Sequence, residues 1–193
     1  METAASKAQE TYKKMCEDAR KVNYQVETMI EYESRLPQIT PEMAFWWWDN
    51  MGPLERYRLW SPDHLGFEWE KAPGPKGRVG AIHSVTEYVG KFPVFLRLRY
   101  EDPSAYPGSR KYEHAIVETS LAHDDRVMGW ILHEFKGAAG GLVMRNVFQL
   151  PVGTPKEIIN GIIEHSNKEM EALPKFLPAL YAESRSSKEI RFS

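Results

Sequence analysis

The sequence predicts an α+β fold in which an antiparallel β-sheet packs against one long C-terminal helix. Three observations lead to this prediction. A charged, helix-prone stretch comes first, and from residue 78 apolar and polar residues alternate in segments that are separated by turn-rich connections. A helical pattern with an apolar line then begins near residue 154. Because consecutive strands with short connections pair antiparallel, we expect a meander followed by the helix.

The N-terminal stretch, residues 5 to 34, is charged and helix-prone. We expect a helix that packs outside the main fold or against a second subunit of a homodimer. The chain is therefore divided into an N-terminal helical extension, residues 1–36, and a single domain, residues 37–193. The first residues lack the apolar run of a signal peptide, and no later segment approaches the length of a membrane span. A cytoplasmic protein with no membrane partner is the expectation.

The bulk composition excludes several classes of function. The chain has 193 residues, 42% of them hydrophobic, and a net charge of −2, as expected for one domain with a sizeable core. Near-neutral charge without a basic cluster argues against nucleic acid as a partner. Cys16 is the only cysteine, which excludes a disulfide framework and a cysteine zinc cluster. Any metal must therefore be bound by His, Asp and Glu.

A short helix is predicted over residues 41 to 51, because Thr40 can cap it and Pro41 can begin it. It carries three consecutive tryptophans at residues 46–48. Three consecutive side chains cannot all point the same way on a helix. At least one is expected to face a ligand cavity or a subunit interface, although core packing also accounts for each of them.

The first predicted strand is RVGAIHSVTEYVG, residues 78–90, where the period of the apolar pattern changes to two. One face of this strand carries His83 and Glu87 together with three valines. The further strands read FPVFLRLRYE, YEHAIVETSLA, VMGWILHEF and GLVMRNVFQL. A curved antiparallel sheet wrapped around a terminal helix is the helix-grip arrangement, which leaves a cavity between the sheet and the helix.

The last helix contains TPKEIINGIIEHSNKEME, in which residues 154–157 supply an N-cap threonine, a proline and a capping-box glutamate. Its apolar line through Ile158 and Ile162 continues into His165 and Glu169. Two interpretations remain open. The pair is either a set of metal ligands on one helical face or a solvated i,i+4 pair at the edge of the apolar stripe.

Other histidines stand in apolar or aromatic surroundings. His133 shares a strand face with Ile131 and Phe135, and His64 follows Trp60 in a predicted loop. Singly, each is explained as a core polar group or a loop histidine. A zinc site without cysteine uses His and carboxylate ligands, and His64, one strand carboxylate and the two polar residues of the last helix would supply them.

Five short segments occur in order between residues 38 and 172: ITPEMAFWWWDNM, YRLWSPDH, HSVTEYVG, HEFKGAAGGLVMRNVFQLP and HSNKE. Together they resemble the 2,4-diacetylphloroglucinol hydrolase family, which includes phloretin hydrolases. The resemblance implies a helix-grip, Bet v 1/START-like fold. It also implies that Zn²⁺, held by two His and two Glu, supports hydrolysis of the carbon–carbon bond between an acyl group and a phenolic or polyketide ring.

Carried across residue by residue, the resemblance implies the zinc ligands His64, Glu87, His165 and Glu169. Glu101 remains an alternative to Glu87, and a set of His and carboxylate ligands also suits manganese, iron or cobalt. The resemblance further implies that His133 and Tyr57 transfer protons and orient the phenol. Phe67 stands where the family has a polar substrate contact, so a different acylated substrate is an open alternative.

Two other functions also remain open. In a metal-free helix-grip binding protein or polyketide cyclase, His165 and Glu169 would pair with each other or with Arg97 or Arg145. In a structural protein whose aromatic patch is an interface, the helix pair would lie in solvent.

Overall fold

The computed structural model describes residues 3–21 and 25–189. The helices are α1 (Ala4–Lys21), α2 (Pro41–Asn50), α3 (Leu54–Tyr57) and α4 (Lys156–Glu189), with a 3₁₀ turn at Pro103–Ala105. The strands are β1 (Val26–Pro37), β2 (His64–Lys71), β3 (Ile82–Val89), β4 (Phe92–Glu101), β5 (His114–Leu121), β6 (Val127–Ala138) and β7 (Gly141–Pro151). None of the helices within these residues is long and apolar enough to cross a membrane.

Within the described residues, the strands form one seven-stranded sheet in the order β1-β7-β6-β5-β4-β3-β2. Every neighbouring pair is antiparallel. From β2 to β7 each strand pairs with the next one along the chain. The strands β3 to β7 are the predicted meander, and β2, in a segment predicted as a loop, adds one more strand to it. The one long-range pairing among them joins β1 to β7, so that the first and last strands are neighbours and β1 and β2 form the two edges of the sheet.

The helical prediction for residues 5 to 34 is wrong beyond α1. Residues 26–37 form β1, where Ile30 and Leu36 are buried and alternate with exposed neighbours. Antiparallel pairing with β7 outweighs the helical propensity of the many glutamates in this segment. The predicted domain boundary after residue 36 therefore falls at the end of a strand of the sheet. Residues 1–2 and 22–24 of the predicted extension, and 190–193 of the predicted domain, lie outside the described residues.

Helix α1 packs on the face of the sheet that is turned away from α4. Tyr12 and Cys16 are buried against Ala122 and Met128. The Tyr12 hydroxyl also donates a hydrogen bond of 2.9 Å to the backbone oxygen of Leu121. These contacts attach α1 to the outside of the main fold, which is one of the two placements the sequence predicted.

The main core lies between the sheet and α4, where α2 adds its aromatic side chains. Trp47 and Trp48 are fully buried and pack with Leu173 and Leu177 of α4. Trp46 is half-buried at the edge of this core. Trp48 also lines the internal cavity, so one of the three tryptophans faces a cavity as predicted.

Helix α4 begins at Lys156, one residue later than predicted, and the Thr154 hydroxyl donates to the backbone oxygen of Pro151 at 2.7 Å. One turn before His165, Gly161 lets the helix approach the end of β3. A Cβ atom at Gly161 would lie 3.0 Å from the backbone of Val89. This close approach fixes how far His165 stands from the sheet.

Candidate metal centre

Three side chains that the sequence singled out meet at one point inside the fold. The Nε2 atom of His64 lies 3.3 Å from Nε2 of His165 and 3.1 Å from Oε1 of Glu169. Nε2 of His165 lies 3.5 Å from the same Glu169 oxygen. All three residues are buried. His64 is the first residue of β2, not a loop residue as predicted, and the other two come from α4.

Glu87 is the strand carboxylate that joins this group. It lies opposite His64 in the β2–β3 register. Its Oε2 atom is 3.7 Å from Nε2 of His64 and 3.8 Å from Nε2 of His165. The alternative, Glu101, instead accepts hydrogen bonds of 2.7 Å from Arg99 and Thr119. We call the four side chains His64, Glu87, His165 and Glu169 the His/Glu centre.

Within the His/Glu centre, His64, His165 and Glu169 have the spacing of metal ligands, since their ligand atoms all lie within 4.8 Å of one another. A tetrahedral ion whose N and O ligands lie at about 2.0–2.2 Å separates those ligand atoms by about 3.3–3.6 Å. The distances between the nitrogen and oxygen atoms given above run from 3.1 to 3.8 Å. Several of them are too long for hydrogen bonds, so hydrogen bonding alone does not account for the arrangement.

The surroundings of His64 orient its Nε2 atom towards this centre. Nδ1 of His64 lies 2.8 Å from the backbone oxygen of Tyr57 and donates its proton there, which leaves the lone pair on Nε2. A carbonyl that fixes the second ring nitrogen is the usual outer contact of a metal-binding histidine. The Tyr57 ring stacks on the His64 ring with 3.7 Å between centroids, and its hydroxyl donates to Oε2 of Glu87 at 3.1 Å.

The charges of the His/Glu centre favour a cation. Burial lowers the pKa of His165, but the carboxylates of Glu169 and Glu87 raise it by a larger amount. The pKa of His165 is therefore about 10. Burial raises the pKa of Glu169, but His165 and His64 lower it to about 2. Burial lowers the pKa of His64 as well, but the same carboxylates raise it above its usual value. The two buried carboxylates thus stabilise positive charge on the imidazoles, and a metal ion can replace an imidazole proton.

The His/Glu centre opens onto a cavity of about 150 Å³ between the sheet and α4. Glu87, His165, Glu169 and Tyr57 line it, together with aromatic and aliphatic side chains from α2, β3–β7 and α4. His133, which the sequence also predicted to face inward, lies on the same cavity wall.

His133 is held as a neutral imidazole. Its Nδ1 atom donates to Oδ1 of Asn146 at 2.6 Å, and its ring packs against Trp48. Burial lowers the pKa of His133, although the hydrogen bond that it donates to Asn146 opposes this effect. With the proton on Nδ1, the Nε2 atom carries a lone pair that can accept a proton from a ligand.

The sequence did not single out Asn146 or Glu118, although both are buried near this cavity. Glu118 lies on β5, whose residues 115–119 are buried on both faces. Asn146 lies in a similarly buried part of β7. In such strands polar and apolar residues do not separate by face, so an alternating pattern gives no signal for an inward polar side chain.

The fold and the site together define a helix-grip protein with a His/carboxylate centre at its internal cavity. The chain belongs to the 2,4-diacetylphloroglucinol hydrolase family, because the family model described as DAPG hydrolase PhiG domain matches residues 24–153. This stretch includes His64, Glu87 and His133, whereas His165 and Glu169 follow it.

A relative agrees with this assignment. The chain is 26% identical over 188 residues to the phloretin hydrolase of Eubacterium ramulus, an alignment that covers 79% of this chain. The chain spans 66% of the length of that relative, just under two thirds.

The solved structures confirm the fold that the sequence predicted. Ara h 8.0201 is 17% identical with a TM-score of 0.56, covering 80% of this chain and 99% of its own. The ZhuI aromatase/cyclase from Streptomyces sp. R1128 is 10% identical with a TM-score of 0.55, covering 79% and 94%. A START superfamily protein from Mycobacterium smegmatis is 12% identical with a TM-score of 0.53, covering 80% and 99%.

Proposed function

We propose that this protein is a metal-dependent hydrolase that cleaves the carbon–carbon bond between an acyl group and a phenolic ring. The observation that carries the proposal is the His/Glu centre itself. Its four side chains come from β2, β3 and α4 and meet at the wall of a buried cavity, in a chain that belongs to the diacetylphloroglucinol hydrolase family. Zinc is the proposed ion, because a buried set of His and carboxylate ligands suits it.

The size of the cavity supports a substrate with a single small ring. An apolar cavity of roughly 150 Å³ in another protein binds benzene, and the cavity here has about the same volume. Its lining supplies both apolar walls for a ring and polar groups for substituents. An acylated phenol of one ring is therefore the proposed substrate class.

The proposed reaction converts an acylated phenol and water into a carboxylic acid and the deacylated phenol. A bound Zn²⁺ would supply a Lewis acid that polarises the acyl carbonyl and lowers the pKa of water. The ring carbon that carries the acyl group gains a proton, and the oxygen of water bonds to the acyl carbon. The carbon–carbon bond then breaks, and its electron pair returns to the ring, which regains its phenolic form.

The chain's own residues are suited to the proton transfer. Nε2 of His133 accepts the proton of a ring hydroxyl and returns it to the ring carbon, because Nδ1 is already committed to Asn146. Tyr57 keeps its proton, since burial and the neighbouring Glu87 raise the pKa of its hydroxyl well above the usual value. Its contacts with His64 and Glu87 make it a positioning residue for the His/Glu centre.

The binding-protein alternative lets His165 and Glu169 pair either with each other or with Arg97 or Arg145, and both arginines are taken up elsewhere. Arg97 pairs with Glu70 and Asp125. Arg145 pairs with two other glutamates, Glu31 and Glu134. The negative charge of the His/Glu centre is therefore left for a proton or a metal ion. Nε2 of His165 also lies 3.5 Å from Oε1 of Glu169, a mutual pairing that both functions allow, so membership of the hydrolase family is what favours the hydrolase.

Metal content and hydrolysis of a matched pair of compounds test the proposal. The purified full chain is expected to hold about one Zn²⁺ and to release acetate and phloroglucinol from monoacetylphloroglucinol. Chelation should abolish the release, and added Zn²⁺ should restore it. The trimethyl ether of the same ketone cannot form the keto tautomer and should stay intact. A metal-free protein that binds the phenol fully without releasing acetate would refute the proposal.

A further inference from the structure

A second polar pair faces the same cavity, apart from the His/Glu centre. His83 of β3 and Glu118 of β5 both line the cavity and are 2% and 4% exposed. Nε2 of His83 lies 3.7 Å from Oε1 of Glu118. This distance is too long for a direct hydrogen bond, so the two side chains lie side by side without forming a hydrogen bond to each other.

Both groups keep unsatisfied polar atoms. Among the described residues, Oε1 of Glu118 and Nδ1 of His83 are buried without a hydrogen-bond partner. The His83 ring lies among the rings of Phe67, Trp69 and Tyr100. Burying a polar atom in such surroundings without a partner costs about 1–3 kcal/mol. The Glu118 side chain has a hydrogen bond with Trp48, but its Oε1 atom is left without a partner on the cavity wall, which indicates a ligand group that completes it.

A neutral hydroxyl group fits the space between Nε2 of His83 and Oε1 of Glu118 best, where it would satisfy the unpartnered Oε1 atom. One oxygen atom can lie at about 2.8 Å from two atoms that are 3.7 Å apart. A hydroxyl both donates and accepts, so it matches either protonation state of the carboxyl and either tautomer of the imidazole. Burial raises the pKa of Glu118 to about 8 and lowers that of His83 to about 3, so both are uncharged near pH 7 and do not attract an ion.

We propose that Glu118 and His83 form a subsite that binds a hydroxyl group on the ring of the substrate. This inference rests on the proposed function, in which the acyl carbonyl faces the His/Glu centre of the same cavity. The subsite then selects rings that carry a further hydroxyl besides the one next to the acyl group. Glu118 and His83 are specificity-determining residues, with no part in the proton transfer assigned to His133.

Binding of three acetophenones to the full-length chain tests the subsite. The ligands are 2,4-dihydroxyacetophenone and 2,6-dihydroxyacetophenone, compared with 2-hydroxyacetophenone, which lacks the second hydroxyl. Titration follows the fluorescence of the tryptophans, since Trp48 lines the cavity. The wild-type chain is expected to bind at least one dihydroxy ligand roughly tenfold or more tightly, as a buried hydrogen bond predicts.

The variant Glu118→Leu should bind the mono- and dihydroxy ligands within about twofold of each other, because the hydroxyl has lost its partner. Its melting temperature should not fall, since an apolar side chain replaces an unsatisfied buried acid. The matched control Glu68→Leu changes an exposed residue of β2 and should keep the wild-type preference. If Glu118→Leu does not fold, His83→Phe keeps an aromatic ring and should also lose the preference.

A wild-type chain without any preference would mean that the pair holds only water, and the inference would be overturned. A preference that persists in both Glu118→Leu and His83→Phe would overturn it as well. Because binding is measured on chelated protein, in which the proposed hydrolysis is abolished, the two proposals fail separately. Hydroxyl preference without hydrolysis refutes only the proposed function, and hydrolysis without hydroxyl preference refutes only the subsite.

Discussion

The Nε2 atoms of His64 and His165 lie 3.3 Å apart although 101 positions separate the two residues in the chain. One starts β2, and the other stands in the third turn of α4. Neutral imidazole nitrogens that direct lone pairs at one point repel each other unless a proton or a metal ion lies between them. The buried carboxylates of Glu87 and Glu169 beside them add the negative charge that such a cation requires.

Replacing His165 with alanine should remove the metal. One ligand and its Nε2 atom are lost, while Glu87 and Glu169 stay buried and repel each other. We expect the metal content to fall from about one ion per chain to roughly a tenth or less, measured by plasma mass spectrometry after gel filtration. His114→Ala is the control, because that histidine is only half-buried on β5 and contacts Glu113. Equal metal content in both variants would place the ion elsewhere.

Removing only the hydroxyl of Tyr57 should weaken metal binding without unfolding the protein. Tyr57→Phe keeps the ring that stacks on His64 but loses the donor to Glu87. Loss of an outer contact of this kind typically costs about 10–100-fold in metal affinity. Competition with a chromophoric chelator measures the dissociation constant for Zn²⁺. Tyr112→Phe removes a hydroxyl contact with Glu33 at the surface and should leave that constant unchanged.

Most of the sheet could be predicted because its strands alternate and are separated by turns. FPVFLRLRYE matches β4 residue for residue, and VMGWILHEF lies within β6. The segment that became β1 was missed because VETMIEYESRLP is rich in helix-forming residues, and only its pairing with β7, more than 100 residues away, makes it a strand. Local sequence carries little information about a partner at that distance.

The candidate site was only partly visible in the sequence. Helical spacing placed His165 and Glu169 on one apolar line, and the structure puts both inside. Spacing could not show that His64 meets them, since β2 and α4 are brought together only by the closed fold. Here the resemblance to a family supplied the prediction. Neither residue spacing nor the family resemblance identified Glu118. Spacing could not do so because β5 is buried on both of its faces.

Removing the metal should lower the thermal stability of the whole chain. An ion that binds only the folded state at 100 times its dissociation constant adds about 2.7 kcal/mol to the free energy of unfolding. For a chain of this size, this corresponds to a rise in melting temperature of roughly 5–11 °C. Differential scanning calorimetry of chelated and zinc-loaded protein measures the shift. His165→Ala should show no shift, and an equal shift in that variant would indicate binding outside the His/Glu centre.

A methyl group at Gly161 should push α4 away from β3. In Gly161→Ala the new Cβ would lie 2.9 Å from Cγ1 of Val89 and 3.0 Å from its backbone, and overpacking of this kind costs about 1–3 kcal/mol. The better helical propensity of alanine offsets up to about 1 kcal/mol of this cost. The free energy of unfolding, measured in urea, should therefore decrease. Zinc affinity should fall too, because His165 is one turn further along α4.

The control for this change is Gly137→Ala. Gly137 lies in β6, and an added Cβ would meet no atom within 4 Å. Its free energy of unfolding should therefore stay within about 0.5 kcal/mol of the wild type. A larger loss at Gly137 than at Gly161 would contradict the close approach of α4 to the sheet.

The buried acid Glu118 should give the stability a distinctive dependence on pH. Burial raises its pKa from 4.5 to about 8 in the folded chain. Between these values the unfolded chain loses a proton that the folded chain keeps. The free energy of unfolding therefore falls as pH rises, by at most about 1.4 kcal/mol per pH unit. Below pH 4.5 both states hold the proton, and this contribution to stability is fully present.

Glu118→Gln removes the titrating group and keeps its volume. The stability of the variant relative to the wild type should increase from pH 5 to pH 8 in urea unfolding experiments, because only the wild type is destabilised over that range. Glu68→Gln, a change of the same chemistry at an exposed position, should give a difference that stays flat. A flat difference for Glu118→Gln as well would mean that its carboxyl group is already ionised in the folded chain, and a partner or a water molecule must then solvate it inside the cavity.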